Sequence, residues 1–378
     1  MKVTIVGAGI GGLTTAIALR QKGFEVEIFE SFPKMKRMGA GIILANNAMQ
    51  VFQRLGLSEI IYKNSNRISS LKLVDEKLAT LTEINLKSFE KNLGTHYAAI
   101  HRGTLQELLL ANFPAKNLHL GKRVKQLIEI DDKIQLFFED GTSHQTNILI
   151  GADGIHSVVR KRFFPKTKIR NAQQVCWRGI TKMKLPEKFQ HEINESWGNG
   201  TRFGIVPMAD GAIYWFALAN YKNDFRTEFN EPNLAKIFAD YDPIISKIIH
   251  STPTDQIIVN EINDLKPIKK WYTNNVCLIG DAAHATTPNM GQGACQSIED
   301  ALALSICLEK EKDIEKAFSN FQKLRIKKAN GVIKQSWQIG KIAQLENSFG
   351  RIIRNSIMRF TPDSIGKKQS AKMFELNY

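Results

Sequence analysis

The sequence predicts an α/β fold in which a mainly antiparallel β-sheet unit is inserted into a nucleotide-binding type of α/β unit, followed by a helical C-terminus. The first thirty residues have the order strand, glycine turn, helix, strand, acid. Residues 170–265 contain spaced aromatic strand patterns and turns, and the α/β pattern resumes at residue 276. We expect a discontinuous first domain of residues 1–169 and 266–330, an inserted substrate domain of residues 170–265, and a C-terminal helical region of residues 331–378.

The glycine turn lies between an apolar run, Lys2–Val6, and a helical pattern that is followed by a second strand ending on Glu30. In the Rossmann fingerprint the first glycine makes a tight turn, the second lets the backbone approach a pyrophosphate, and the third lets the helix pack on the strand. An acid after the second strand accepts ribose hydroxyls and repels a 2′-phosphate. The sequence therefore predicts a Rossmann-type dinucleotide site at Gly7, Gly9, Gly11, Gly12 and Glu30, with an empty glycine turn as the alternative.

Two later strands also end on polar loops. Asn147–Ile150 leads into Gly151-Ala152-Asp153-Gly154, after which Ser157 is expected to cap a short basic helix. Val276–Ile279 leads into Gly280-Asp281, and Gly291-Gln292-Gly293 then opens a long helix. Because ligands of open α/β sheets bind at the carboxyl ends of strands, both aspartates are candidates for the same site as the glycine turn.

Composition restricts the partners. The formal net charge is +15 and the pI is near 9.5, which favours nucleic acid, a membrane surface or anionic small molecules, or simply a solvated basic surface. No nucleic-acid-binding motif is found, so we expect none as a partner. The four cysteines lack metal-ligand spacing and predict reduced thiols and no metal site. Since a strand pattern begins at residue 2 and leaves no room for a signal peptide, we expect a cytoplasmic protein. We also expect a monomer or a homodimer.

In their order and spacing, the glycine turn, Asp153–Arg160 and Gly280–Gly293 resemble the class A (p-hydroxybenzoate hydroxylase-like) FAD-dependent monooxygenases. The details Thr286-Thr287-Pro288 and Gly291–Cys295 resemble the urate hydroxylase and zeaxanthin epoxidase relatives. The resemblance implies FAD as cofactor and NAD(P)H as a co-substrate without a second nucleotide domain. It also implies O2-dependent hydroxylation or epoxidation of a small aromatic, heteroaromatic or unsaturated substrate through a C4a-hydroperoxyflavin. An FAD oxidoreductase that inserts no oxygen, such as an isoprenoid-lipid reductase or a halogenase, and a non-enzymatic FAD-binding scaffold are the alternatives.

The resemblance also implies a set of FAD-binding residues. Asp281 would accept a hydrogen bond from the ribityl chain, and Gly291 with Gly293 would direct a helix dipole at the flavin to stabilise its reduced anion. Arg37 and Arg102 could instead be ordinary surface charges. Asp153 and Arg160 could instead form a structural ion pair. His284 is expected to be structural. The implied set is Gly7, Gly9, Gly11, Gly12, Glu30, Arg37, Gly39, Arg102, Val124, Asp153, Arg160, Asp281, Pro288, Gly291, Gly293 and Ala294.

For the substrate, Arg202 and Tyr214 are the candidate catalytic residues. Arg202 opens an alternating strand pattern, and Tyr214 lies twelve residues on, in a strand expected to return beside it. The urate hydroxylase-like enzymes carry an arginine and a tyrosine in this setting, and a guanidinium suits an anionic ring. A sheet-edge arginine and a core tyrosine are the alternative. Aromatic residues expected to form an apolar pocket are Trp177, Phe203, Tyr214, Trp215 and Phe216, each with core packing as its alternative.

The C-terminal stretch alternates arginines with large apolar residues. Arg351, Arg354 and Arg359 are interspersed with isoleucines and Phe360, which predicts a basic amphipathic helix. We expect it to pack on the first domain with its basic face in solvent; a peripheral membrane contact is the alternative.

Overall fold

The computed structural model describes residues 1–35, 39–222 and 234–378, and in the last range the side chains of residues 363–365 are not described. The strands are β1 Lys2–Val6, β2 Glu25–Phe29, β3 Gly41–Leu44, β4 Asn66–Ile68, β5 Ser70–Val74, β6 Thr80–Asn85, β7 Tyr97–His101, β8 Leu118–His119, β9 Val124–Ile130, β10 Lys133–Phe138, β11 Ser143–Thr146, β12 Leu149–Gly151, β13 Ile169–Lys182, β14 Glu192–Trp197, β15 Thr201–Pro207, β16 Ala212–Asn220, β17 Ile258–Leu265, β18 Tyr272–Thr273 and β19 Val276–Leu278.

The helices surround these strands. They are α1 Ile10–Gln21, α2 Asn46–Arg54, α3 Ser58–Lys63, α4 Lys87–Leu93, α5 Arg102–Ala111, α6 Val158–Phe163, α7 Leu234–Ile237, α8 Pro243–His250, α9 Asp281–His284, α10 Gly293–Lys310, α11 Ile314–Ala343, α12 Ser348–Phe360 and α13 Asp363–Phe374.

A largely parallel sheet forms the centre of the first unit. Its strand order is β18-β19-β12-β1-β2-β8, and β1 pairs in parallel with both β2 and β12, which in turn pairs in parallel with β19. The strands are apolar because helices cover them, and Val3, Ile5 and Ile150 are fully buried. The carboxyl ends of β1, β12 and β19 therefore meet at one edge, which confirms the predicted α/β arrangement.

A second, seven-stranded sheet has the order β17-β13-β16-β15-β14-β5-β6, with antiparallel pairs except for the parallel pair β14–β5. Strands β13 to β17 come from residues 169–265, close to the predicted inserted unit. Strands β5 and β6 come from residues 70–85, far earlier in the chain, and extend this sheet at one edge. The sheet thus joins residues from both predicted domains.

The C-terminal region is helical, as predicted, but α12 has the opposite orientation to the one expected. The Arg354 guanidinium is buried and donates to the carbonyl oxygens of Ala343 (2.9 Å) and Trp197 (3.2 Å). Arg351 pairs with Glu76 at 2.8 Å. The expectation of a basic face in solvent is therefore wrong, because acceptors of the protein bind the arginines. In the described ranges, no helix has both the length and the apolar character that crossing a membrane requires.

Candidate active site

The glycine turn joins β1 to α1 at the carboxyl edge of the parallel sheet. Gly7 has φ +106°, a conformation that favours glycine, and a Cβ on Gly12 would lie 2.0 Å from the Gly7 carbonyl oxygen. The fold itself therefore requires these two glycines. A Cβ on Gly9, in contrast, would meet no protein atom within 4 Å. Gly9 opens onto free space in front of the α1 N-terminus, where a phosphate would bind.

Glu30 follows β2 and is held beside this turn. Its buried carboxylate accepts hydrogen bonds from the main-chain N–H groups of Ala8 (2.8 Å) and Phe32 (2.9 Å). The Lys122 N–H donates to the Glu30 carbonyl oxygen at 2.7 Å, which brings the segment leading to Val124 to the same end of the site. Val124, which the resemblance implies as an FAD-binding residue, begins β9 two residues after this contact.

A cavity of about 970 Å³ extends from the glycine turn to the seven-stranded sheet. Asp281 is open to this cavity, yet the surrounding protein desolvates its carboxyl group and raises its pKa. Predicted FAD-binding residues that line the cavity are Gly9, Gly11, Gly12, Arg102, Asp281, Pro288, Gly291, Gly293 and Ala294.

Helix α10 points its N-terminus at this cavity. Gly291 makes the preceding turn with φ +61°, and the helix of 18 residues begins at Gly293 with no acidic residue in its first turn. The residues of that turn line the cavity, so its unpaired N–H groups and positive dipole end are available to an anionic group. Together with the space at Gly9 and the carboxylate of Asp281, this arrangement fits an elongated dinucleotide such as FAD.

Asp153 and Arg160 lie behind the cavity wall. Asp153 Oδ2 accepts from the Val158 N–H at 2.6 Å, while its Oδ1 is buried without a hydrogen-bond partner. Burial raises the pKa of the Asp153 carboxyl group. The Arg160 guanidinium donates to the carbonyl oxygens of Ala282 (3.0 Å) and Ile155 rather than to Asp153. Arg160 therefore ties the loop after β12 to α9, and a cofactor role for either Asp153 or Arg160 stays a prediction.

Arg102 begins α5 and lines the cavity. A Cβ on Gly39, which has φ +110°, would lie 3.3 Å from the Arg102 Cδ atom, so this glycine allows the close approach of the arginine side chain. The predicted partner Arg37 lies outside the described residues.

A buried cluster of charged side chains joins α10 to α9 and α11. The sequence alone did not assign it. Asp300 Oδ2 accepts from the Gly280 N–H at 2.9 Å and lies 2.5 Å from His284 Nε2, and Oδ1 accepts from Arg325 Nε at 2.8 Å. Burial alone would raise the pKa of Asp300, but His284 and Arg325 outweigh it and hold the pKa below its usual range. The cluster fixes the strand end that carries Asp281, and His284 has the structural setting expected for it.

Ser297 is a second residue that the sequence reasoning missed. It lines the cavity, and a Cβ on Gly11 would lie 1.8 Å from its Oγ atom. Gly11 thus allows α1 and α10 to approach each other closely. Periodicity alone gave no signal for this contact, since the two helices are far apart in the chain.

Alternate residues of the seven-stranded sheet face the cavity. Arg202 lies opposite Leu218 and Tyr214 lies opposite Val206 in the antiparallel pair β15–β16. The predicted pairing of their strands is present, and both side chains are on the cavity side. The register separates them by four residues, about 13 Å along the strands.

Arg202 has charged and polar partners within the protein. The residue is 1% exposed, and its Nε donates to Glu195 Oε1 at 2.7 Å. Nη1 donates to Asn289 Oδ1 at 2.5 Å, and the Trp197 ring lies beside the charge. Glu195 therefore neutralises Arg202, and Asn289 connects it to the loop that begins α10.

The rest of the cavity wall on the side of the seven-stranded sheet contains apolar side chains beside polar ones such as Thr82, Arg178 and Asn260. Of the aromatic residues predicted as pocket walls, Tyr214 and Phe216 line the cavity. Phe203 and Trp215 stack on each other at 5.5 Å in the core on the opposite face, and Trp177 belongs to the same core. Aliphatic side chains of this sheet that line the cavity include Leu71, Leu73, Ile84, Ile193, Leu218, Val259 and Ile262.

Three comparisons place this geometry among known proteins. A family model described as an FAD binding domain matches residues 1–312. An aurachin C monooxygenase/isomerase of Stigmatella aurantiaca is 35% identical over 365 residues, which cover 95% of this chain and 94% of that protein. A 2-heptyl-3-hydroxy-4(1H)-quinolone synthase of Pseudomonas aeruginosa is 28% identical over 385 residues, with 99% and 98% covered. The crystal structure of Klebsiella pneumoniae HpxO complexed with FAD and uric acid is 26% identical and has a TM-score of 0.88, covering 99% of this chain and 96% of that one.

Proposed function

Because the chain belongs to the FAD binding domain family and is an FAD-dependent monooxygenase of class A, we propose that it uses NAD(P)H and O2 to hydroxylate a neutral heteroaromatic ring that carries an apolar side chain. Bound FAD would supply the redox chemistry, in which a hydride from NAD(P)H and a proton reduce one oxygen atom of O2 to water while the other oxygen atom enters the substrate. Because the chain is a monooxygenase, it is neither an FAD oxidoreductase that inserts no oxygen nor a non-enzymatic FAD-binding scaffold. The substrate class is inferred from the cavity wall and from the relatives.

For the cofactor, we propose that the protein holds FAD along the edge where its strands end. The N–H groups at the start of α1 would bind the pyrophosphate, and the Glu30 carboxylate would accept hydrogen bonds from the ribose hydroxyl groups. Asp281 would accept a hydrogen bond from the ribityl chain, and the N-terminus of α10 would stabilise negative charge on the flavin ring.

The observation that supports a neutral substrate is the pairing of two cations of the substrate wall, Arg202 and Lys72, with carboxylates of the protein; a third, Arg178, donates to the Asn260 side chain. Arg202 is buried against Glu195, so its fork is engaged by a carboxylate of the protein itself. Lys72, also in the wall, pairs with Glu192 at 2.7 Å. At Arg202 or Lys72 a substrate carboxylate would have to displace the carboxylate of the protein, whereas a neutral ring would leave both ion pairs intact.

The apolar part of the wall supports a hydrocarbon substituent. Leu71, Ile84 and Ile193 lie on neighbouring strands and face the cavity together. Such a wall gains free energy by burying an alkyl chain and excludes water from the oxygen-transfer step. The relative whose name contains a heptyl quinolone agrees with this choice of substrate class.

Tyr214 would orient the ring. Burial raises the pKa of its hydroxyl group well above the usual range, so the group keeps its proton at neutral pH. A protonated hydroxyl donates a hydrogen bond, which suits a carbonyl or ring-nitrogen acceptor of a neutral heteroaromatic substrate. This role differs from the binding of an anion that the resemblance implied.

The test is a substrate panel with the FAD-loaded protein. Alkyl quinolones with chains from methyl to nonyl are compared with urate and salicylate for NAD(P)H consumption, peroxide release and product mass. We expect coupled turnover and addition of one oxygen atom only with neutral rings, and a preference for longer chains. Leu71→Trp should abolish that preference, while Ile130→Trp, at an exposed position outside the cavity, should retain it. Better coupling with urate or salicylate would refute the proposal.

A further inference from the structure

Helix α12 carries a row of large apolar side chains that are open to solvent. Its apolar face consists of Phe349, Ile352, Ile353, Ile357 and Phe360, and these side chains are between 43% and 85% exposed. They are spaced three to four residues apart, so they share one side of the helix. Ile342, 49% exposed at the end of α11, precedes α12 by six residues. Contiguous exposed patches of this kind mark interaction surfaces.

The protein fixes this orientation from the opposite side of the helix. Arg354 is inserted between main-chain carbonyls and lies over the Trp197 ring at 5.4 Å. Arg351 pairs with Glu76, and Arg359 pairs with Asp75 at 3.2 Å. Turning the apolar face inward would break all of these contacts and leave the buried carbonyl oxygens that Arg354 binds without this donor. The outward apolar face is therefore a built feature of the helix.

From this arrangement we propose that the apolar face of α12 inserts into the surface of an anionic phospholipid membrane. An amphipathic helix with isoleucine and phenylalanine on one side lies in the membrane interface. The formal net charge of +15 favours a negatively charged surface and disfavours a second copy, which would bring the same charge. Lys341 and Lys368 are exposed on the adjoining helices and would add to this attraction.

The position of α12 relates this surface to the cavity. The helix packs on β6, and Thr82 and Ile84 of that strand line the cavity. A membrane bound at α12 would thus lie beside the sheet that forms the substrate wall. Membrane binding is nevertheless independent of which substrate the cavity takes, and its test uses no turnover.

The experiment is co-flotation of the FAD-loaded chain with vesicles. Vesicles of phosphatidylcholine with about 30% phosphatidylglycerol are compared with pure phosphatidylcholine. We expect the chain to bind to the anionic vesicles and this binding to be lost at about 0.5 M salt, where the shorter Debye length screens the attraction between the basic protein and the lipid headgroups. Substituting the two most exposed members of the face, Phe349→Glu and Phe360→Glu together, should weaken binding by about tenfold or more. The pair Ile60→Glu and Ile130→Glu, at exposed apolar positions on other surfaces, should bind as the unchanged chain does.

A conservative variant adds a direct readout. Phe360→Trp keeps an apolar ring at the end of the face, so it should retain binding and show a blue shift of tryptophan emission with anionic vesicles only. Flavin absorbance and thermal unfolding verify that each variant is folded. Absence of binding to anionic vesicles, or an equal loss in the Ile60 and Ile130 control, would overturn the proposal. A concentration-dependent dimer abolished by the two glutamates would also overturn it and assign the face to a second copy.

Discussion

Replacing Gly9 with alanine separates cofactor binding from folding at the glycine turn. Gly9 has φ −69° and ψ 177°, an extended conformation that alanine adopts without strain. The added methyl group would meet no protein atom within 4 Å. Because alanine restricts the unfolded chain, the stability of the apoprotein should stay the same or rise by up to about 1 kcal/mol.

The substitution should weaken FAD binding instead. The methyl group would occupy the space through which a pyrophosphate approaches the N–H groups at the start of α1. Displacing the phosphate by a methyl radius breaks at least one charge-assisted hydrogen bond, which contributes about 1.5–3 kcal/mol. We expect a loss of about 2.7 kcal/mol, which raises the Kd for FAD roughly 100-fold.

The assay is a flavin-fluorescence titration of the apoprotein together with its thermal unfolding. Gly331→Ala is the matched control, since a Cβ there also meets nothing within 4 Å but the residue lies in α11, away from the cavity. It should leave the Kd for FAD unchanged. Gly12→Ala gives the contrast, because its methyl group would collide with a backbone oxygen and should lower the stability of the apoprotein itself. An unchanged Kd in Gly9→Ala would refute the placement of FAD at this turn.

Three further substitutions test the substrate wall and the buried cluster. Tyr214→Phe removes the hydrogen-bond donor and should lower kcat/KM about tenfold while FAD content stays the same; steady-state kinetics with an unchanged kcat/KM would contradict the orienting role. Glu195→Gln leaves its buried arginine partner uncompensated, so denaturant unfolding should show a loss of about 3 kcal/mol, and turnover of carboxylate-bearing rings should rise relative to neutral ones. Asp300→Asn should cost about 3 kcal/mol at pH 7. Because His284 and Arg325 hold the folded pKa of Asp300 below its unfolded value of about 3.9, its contribution is full above that value and lost as the pH falls through the folded pKa. Urea unfolding at decreasing pH should thus show the wild type and Asp300→Asn converging, and a constant difference would contradict this sign.

The convergence of the glycine turn and the two aspartate loops at one edge could be predicted from the sequence because each part of the pattern is local. A strand followed by glycines, or a strand ending on an aspartate, is a pattern of fewer than ten residues. Parallel strands bring their carboxyl ends to one edge, so Gly9, Asp281 and Gly293 had to meet once the sheet was correct. The structure places all three on one cavity. The contact between Gly11 and Ser297 could not be predicted, because it depends on how two distant helices cross.

The substrate wall depended on strand pairing that no local pattern reveals. Alternation along Ser70–Val74 indicates a strand but does not name its neighbour, which is β14, more than a hundred residues later. Likewise, Arg202 was identifiable as a cavity residue, but its counterion Glu195 was not. In the β14–β15 register Glu195 lies opposite Gly204, which puts it one diagonal step from Arg202 on the same face. Only that register shows that the guanidinium is neutralised.

The orientation of α12 failed in prediction for a different physical reason. An amphipathic pattern shows that a helix has two unlike faces, but which face is buried depends on what the rest of the protein offers. Here the turn between β5 and β6 offers Asp75 and Glu76, and the ends of β14 and α11 offer carbonyl oxygens. These acceptors satisfy the arginines and leave the isoleucines and phenylalanines outside. Moving this apolar face from water into an apolar phase is favourable. The contacts that contradict the expected orientation of α12 therefore support the proposed binding to a membrane.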